Sequence, residues 1–173
     1  MRTADAIWDI VKKYTDTVFY VPGGQAAFLV DALGWSGLRH VSMLHEQGAA
    51  FAACGYAMQT GKLGVCLVTS GPGATNAITG CAAAWMDSIP VLFISGQANL
   101  NPNEGLRVRG VQSVDVIPMV EPVTKLAMRP RYGNVALAIL QGMLNQCLDI
   151  NNRRGPCWLD VPLNVQSMDT VYE

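Results

Sequence analysis

Residues 43–76 read MLHEQGAAFAACGYAMQTGKLGVCLVTSGPGATN, and the order of elements within them decides the fold. Residues 47–60 are alanine-rich with Gly48 and Gly55 and stop at Gly61, a glycine placed to end a helix. Small side chains let such a helix lie close to a sheet or another helix, so it is expected to be buried. Residues 65–69, VCLVT, form a short apolar and β-branched run that predicts a buried strand. Ser70-Gly71-Pro72-Gly73 then turns the chain into a second small-residue helix over 74–86. One carboxylate, Glu46, opens the whole stretch. An acid leading into so apolar a segment is a group whose proton the fold can control through burial and neighbours. The same position also suits any helix acid, because the macrodipole favours negative charge at an N-terminus.

Outward from this stretch the pattern repeats. Ala6, Ile7, Ile10 and Val11 recur at helical spacing behind Thr3, which is expected to cap that helix. TVFYV at 17–21 predicts a strand that stops at Pro22, and Pro22-Gly23-Gly24 turns into a helix over 25–33. Residues 38–43 predict a strand with His45-Glu46 at its end, and residues 90–95 another. Residues 96–111 are polar and loop-like, with Pro102 and Gly105 as breakers. A short helix over 113–120, a strand over 123–127, a helix over 133–149 and a strand over 157–161 complete the chain. Repeated strand–turn–helix order predicts an α/β fold: a doubly wound parallel sheet of about six strands with helices on both faces, in one domain over 1–173.

Composition limits the function. Only 14% of the 173 residues are charged, against about 25% in soluble domains, so some faces are expected to lie against partners. A net charge of −1 without a Lys/Arg cluster argues against nucleic acid. Five cysteines with no CxxC pair read as buried thiols in a reducing compartment, and no apolar run reaches membrane-spanning length; a cytoplasmic protein is expected.

In a doubly wound sheet, ligands bind beyond the carboxyl ends of the strands. Pro22-Gly23-Gly24, His45-Glu46 and Ser70-Gly71-Pro72-Gly73 all fall there. Glycines at a helix start can hold phosphate, which raises a nucleotide-binding alternative. Neither GxGxxG nor GxxxxGK[ST] occurs, and none of the three turns carries a lysine.

PGG at 22–24, HEQGAAFAACGYAMQTGKLGV at 45–65, TSGPGATNAITGCAAAWMDSIPVLFISGQ at 69–97 and RGPCWLDVPLNVQ at 154–166 together resemble the pyrimidine-binding domain of thiamine diphosphate enzymes, most of all the acetolactate synthase large-subunit group. The resemblance implies the thiamine diphosphate-binding fold and a role for Glu46. That carboxyl would hydrogen-bond a ring nitrogen of the aminopyrimidine, favouring the imino tautomer that deprotonates the thiazolium, whose carbanion attacks a 2-oxo acid. It further implies that Gly23 and Gly24 admit the cofactor, that Ser70, Gly71, Pro72 and Gly73 pass close to the pyrimidine, and that Asn76 fixes the turn or helix start beside it. Gln112 falls where the family has the glutamine of a Phe-Gln-Glu triplet at the active site, here Val111-Gln112-Ser113. Arg153 falls where relatives touch FAD, although the usual lysine after the last valine-proline is Leu163, and a solvated arginine is the competing reading.

The family binds Mg²⁺ and diphosphate on another domain through Gly-Asp-Gly and Asn-Asn patterns that this sequence lacks, so a diphosphate-binding domain of the same or another chain is the expected partner. The middle domain is missing too. The chain is then expected to be one domain of a longer polypeptide or a subunit of a split enzyme, working as a homodimer or homotetramer. Arg107 and Arg109 beside the altered triplet suggest an acceptor larger than a second pyruvate, such as a keto-sugar, with two solvent-facing loop arginines as the competing reading. A non-catalytic binding or assembly module with the same fold is the alternative.

Overall fold

Six strands, β1 (Thr17–Tyr20), β2 (Arg39–Ser42), β3 (Gly64–Val68), β4 (Val91–Gln97), β5 (Leu126–Met128) and β6 (Cys157–Pro162), form one parallel sheet in the order β2-β1-β3-β4-β6-β5. The helices are α1 (Thr3–Val11), α2 (Ala27–Trp35), α3 (Glu46–Thr60), α4 (Pro72–Met86), α5 (Ile117–Val120), α6 (Gly133–Leu148) and α7 (Leu163–Ser167). This computed structural model describes residues 1–99 and 110–171, so Arg107, Arg109 and most of the 96–111 loop lie outside the described residues.

Strand alternation separates two cores. Val65 and Leu67 of β3, Leu92 and Ile94 of β4, and Cys157, Leu159 and Val161 of β6 pack with α1, α2, α6 and α7. Cys66 and Val68, Val91 and Phe93, and Trp158 point to the opposite face and pack with α3 and α4. Both faces are covered, which is why the central strands read as continuous apolar runs rather than alternating ones. The expected doubly wound α/β architecture is present.

Small residues on α3 and α4 serve their contact with each other: a Cβ added at Gly80 would lie 2.4 Å from the Ala50 Cβ. α3 is buried along Ala49, Ala50, Ala53, Cys54 and Ala57 only; Phe51 and Met58 face outward, so the expected fully buried helix has one exposed side. Gly61 ends it in a left-handed conformation, φ 71°, as its sequence position predicts.

Other expectations change in detail. Thr3 is not the cap of α1: Arg2 holds that position and Asp5 accepts from its backbone N–H at 3.1 Å, while the Thr3 hydroxyl donates to the Met168 carbonyl at 3.0 Å. A short 3₁₀ turn, Gly24–Ala26, precedes α2. The helix expected over 113–120 is confined to Ile117–Val120, because Ser113, Val114 and Asp115 are drawn into a side-chain network and Pro118 suits a first helical turn. Among the described residues no helix is long and apolar enough to cross a membrane.

Candidate active site

β1 lies between β2 and β3, with α2 on one face of the sheet and α3 on the other. The chain therefore reverses its winding here, and the carboxyl ends of β1 and β3 border the crevice that a doubly wound sheet leaves for a ligand. Three turns meet at this edge. His45 caps α3, its Nδ1 accepting from the Gln47 backbone N–H at 3.2 Å, and so sets Glu46 as the first helical residue. Glu46 is half-buried, and its Oε2 accepts from the Asn76 Nδ2 at 3.0 Å. Asn76 lies one turn into α4, so it orients the carboxylate rather than the start of its own helix, as had been expected of it.

Thr69 is the hub that the sequence reading passed over. A Cβ on Gly23 would fall 2.4 Å from the Thr69 Cβ, and one on Gly73 would fall 2.7 Å from the Thr69 Cγ2 and 3.5 Å from Glu46 Oε1. The space beside Gly23 is therefore filled by the threonine, whereas beside Gly24 it is open. The Thr69 and Ser70 hydroxyls are buried without a hydrogen-bond partner among the described residues. Buried hydroxyls are normally paired; of the three without a partner among the described residues two, Thr69 and Ser70, belong to the turn that runs past Glu46, and the third, Thr170, lies apart beside Gly133.

Gly71 takes φ 63°, a conformation that favours glycine, and starts α4 with Pro72 in the first turn. A Cβ there would lie 2.1 Å from the Gln112 carbonyl oxygen. Gln112 thus reaches the site through its backbone against Gly71, with its own φ at 65° and its side chain exposed. The structure brings Gly23, Glu46, Ser70, Gly71, Gly73, Asn76 and Gln112 into one neighbourhood; Gly24 and Pro72 stand at its exposed rim.

A second polar cluster, which the sequence reading missed, lies at the carboxyl ends of β4 and β6. Phe93 stacks on Trp158 across the two strands, with centroids 5.1 Å apart, and the next pair in register on the same face is Ser95 with Asp160. Asp160 is fully buried and accepts from the Ser95 hydroxyl at 2.6 Å, Gln97 Nε2 at 3.1 Å and Arg129 Nε at 2.6 Å. Trp158 Nε1 donates to the Ser95 hydroxyl at 2.9 Å. Burial pushes the Asp160 carboxyl up from its ordinary range, and the charge of Arg129 together with the hydrogen bonds from Ser95, Arg129 and Gln97 pulls it back. The only hint in the sequence is a polar residue at two-residue spacing in otherwise apolar strands.

Arg153 is committed locally. Its Nε donates to the Ser88 hydroxyl at 2.7 Å, its Nη2 to the carbonyls of Trp85 and Met86 at the end of α4, and its guanidinium lies 4.8 Å from the Trp85 ring centroid.

A parallel α/β sheet with a carboxylate, glycine turns and orphan hydroxyls at its switch point defines a ligand-binding domain of the doubly wound class. The chain belongs to the family described as "Thiamine pyrophosphate enzyme, N-terminal TPP binding domain", whose model matches residues 1–119. It is 43% identical over 153 residues to the acetolactate synthase isozyme 2 large subunit of Escherichia coli (strain K12), covering 87% of this chain and 27% of that protein. It is 36% identical over 174 residues to an acetolactate synthase of Arthrospira platensis, covering 98% and 29%. With an acetolactate synthase of Mycobacterium bovis the identity is 41% over 152 residues, covering 87% and 24%. The chain thus spans less than a third of the length of these relatives.

The residues present fit the pyrimidine end of thiamine diphosphate. A carboxylate with one oxygen held and one without a partner among the described residues, two buried hydroxyls likewise unpaired among them, and open space at Gly24 match a flat heterocycle that carries both donors and acceptors. Among the described residues no group of three His, Cys, Asp or Glu could hold a metal ion.

Proposed function

We propose that this chain supplies the pyrimidine-side half of a thiamine diphosphate site in an acetolactate synthase-like decarboxylase or carboligase acting on 2-oxo acids. The observation that carries the reading is Glu46, whose Oε2 is held by Asn76 while Oε1 lies on the Gly73 side of the crevice by Thr69, in the turn whose Thr69 and Ser70 hydroxyls have no partner among the described residues. Bound there, thiamine diphosphate would supply a carbon nucleophile for the substrate carbonyl and an electron sink for loss of CO₂. Glu46 would hold a proton between Oε1 and a ring nitrogen, in a site where few waters compete for it. Asn76 would keep that oxygen pointed inward. Thr69 and Ser70 would take up the polar edge of the ring, and the Gly71–Gln112 contact would close the crevice on its open side.

Mg²⁺ and the diphosphate fall to a partner domain. The small residues of α3 and α4 are used inside this domain, so the better support for assembly is the exposed apolar set of Leu44, Phe51, Met58 and Met86 on and beside those helices. A homodimer or homotetramer that places a diphosphate-binding domain over Glu46 is the assembly that fits. Arg153 is held by Ser88 and the end of α4, so the proposal assigns it no contact with FAD. All five cysteines are free and buried, with burial pushing the Cys54 thiol up to about 11, which suits a reducing, cytoplasmic setting.

Glu46→Gln in the full-length protein, assayed for CO₂ release from pyruvate with thiamine diphosphate and Mg²⁺, tests the proposal. Loss of proton sharing should lower kcat by about 10²- to 10⁴-fold with cofactor affinity nearly kept. An unchanged rate would remove the catalytic role and leave the non-catalytic assembly module standing.

A further inference from the structure

The residues around Asp160 do more than fill the sheet edge, because both polar side-chain atoms of Gln97 join them to the segment that carries Gln112. Gln97 is 2% exposed. Its Nε2 donates to Asp160 Oδ2 at 3.1 Å and to the Val114 carbonyl at 2.9 Å, while its Oε1 accepts from the Ala98 N–H at 3.0 Å and the Ser113 hydroxyl at 3.1 Å. Arg129 makes the second link: its Nε binds Asp160 at 2.6 Å and its Nη2 binds Asp115 Oδ1 at 2.7 Å. Ser113 and Val114 are therefore fastened to Gln97 at the end of β4, and Asp115 to Arg129 just past β5, with Asp160 of β6 joining Gln97 and Arg129. The residue just before them, Gln112, is the one pressed against Gly71 with a positive φ. A non-glycine residue keeps such a conformation only where its surroundings impose it.

We infer that Arg129 is a positioning residue: by bridging Asp160 and Asp115 it pins the Gln112 segment over the Ser70–Gly73 turn and so fixes the open wall of the Glu46 crevice. Two separate requirements single out arginine. One head group must reach a buried carboxylate and a half-exposed one at once, with side-chain exposures of 0% and 52%, and the planar guanidinium presents donors in two directions. A lysine has one point of charge and can satisfy only the buried carboxylate. The inference rests on reading the crevice as the cofactor and substrate site, and its test has a readout that does not depend on that reading.

The test uses the full-length protein with Arg129→Lys and, separately, Asp115→Ala. Arg129→Lys keeps a cation beside Asp160, and Asp115→Ala removes only the half-exposed end of the bridge, so both are expected to fold with an unchanged melting temperature. Amide hydrogen exchange over 110–116 should accelerate by roughly threefold to tenfold in each variant, with β3 and β4 amides unaffected. In the thiamine diphosphate-loaded protein the KM for pyruvate should rise by about tenfold with kcat changed far less, a split that a purely structural role would not produce. Unaltered exchange over 110–116 in both variants overturns the bridge. Faster exchange with KM and kcat both unmoved overturns its role at the site. The reading of Glu46 stands or falls separately on Glu46→Gln.

Discussion

Two polar clusters sit on the same edge of one sheet and obey opposite rules. Around Asp160 each buried polar group is paired: three donors on the carboxylate, four bonds on Gln97 and the Trp158 N–H on Ser95. Around Glu46 the glycines leave no spare volume beside Thr69, yet the Thr69 and Ser70 hydroxyls and one carboxylate oxygen have no partner among the described residues. A saturated network specifies structure and gains nothing from a ligand. An unsaturated one gives up stability that a ligand can restore, and on the proposed function that difference in pairing is what sets the Glu46 crevice apart from the Asp160 scaffold.

The sharpest way to break the comparison is to unpair the scaffold. Arg129→Leu strands a fully buried carboxylate, and removing one partner of a buried ion pair typically costs about 3–5 kcal/mol. Urea unfolding of the variant should show a loss of that order, and Arg129→Leu with Asp160→Asn should recover much of it. A loss below about 1 kcal/mol would mean that water reaches Asp160 and that the cluster is not saturated.

Ser95→Ala should cost less, about 1–3 kcal/mol, since it leaves Trp158 Nε1 without an acceptor and Asp160 without one of three donors. Thermal melts with Trp158 fluorescence report both changes, and a spectral shift without destabilisation would show that another acceptor serves the indole.

Neither cluster was equally visible in the sequence, and the reason is distance along the chain. Strands and helices announce themselves locally, through β-branched runs, small-residue helices and glycine or proline stops, and five of the six strands were read to within about two residues at each end. Glu46, Ser70 and Gly73 were legible because each sits in a turn that the topology sends to the same edge. Arg129 and Asp160 are 31 residues apart, and Arg129 looks like any surface cation until β5 is laid beside β6. Thr3 misled for a related reason: its hydroxyl is engaged by Met168, at the far end of the chain. α7 follows Pro162 too briefly to show a period.

Asp160 also gives the scaffold a pH signature. Burial raises its folded-state pKa above the ordinary value of 3.8, with Arg129 opposing. The native state therefore binds its proton more tightly than the unfolded chain, so this group's contribution to stability is greatest below the unfolded pKa and falls as pH rises through the folded one. In urea titrations from acid to neutral pH, Asp160→Asn should lack that decline, and equal slopes in both proteins would show that the ion pair fully offsets burial.

The smallest expected effect is the most telling. Thr69→Val keeps the branched shape that Gly23 and Gly73 pack against and removes only a hydroxyl that has no partner among the described residues. Deleting an unpaired buried polar atom relieves a desolvation penalty, so the cofactor-free protein should be unchanged or more stable, within about 0.5 kcal/mol, in contrast to Ser95→Ala. On the proposed function the same variant should bind thiamine diphosphate several-fold more weakly, because the hydroxyl can no longer pair with the ligand. Differential scanning calorimetry without and with cofactor measures both numbers on one sample. A destabilisation of 1 kcal/mol or more in the cofactor-free protein would mean that Thr69 is paired within the fold, and the contrast between an unsaturated site and a saturated scaffold would be lost.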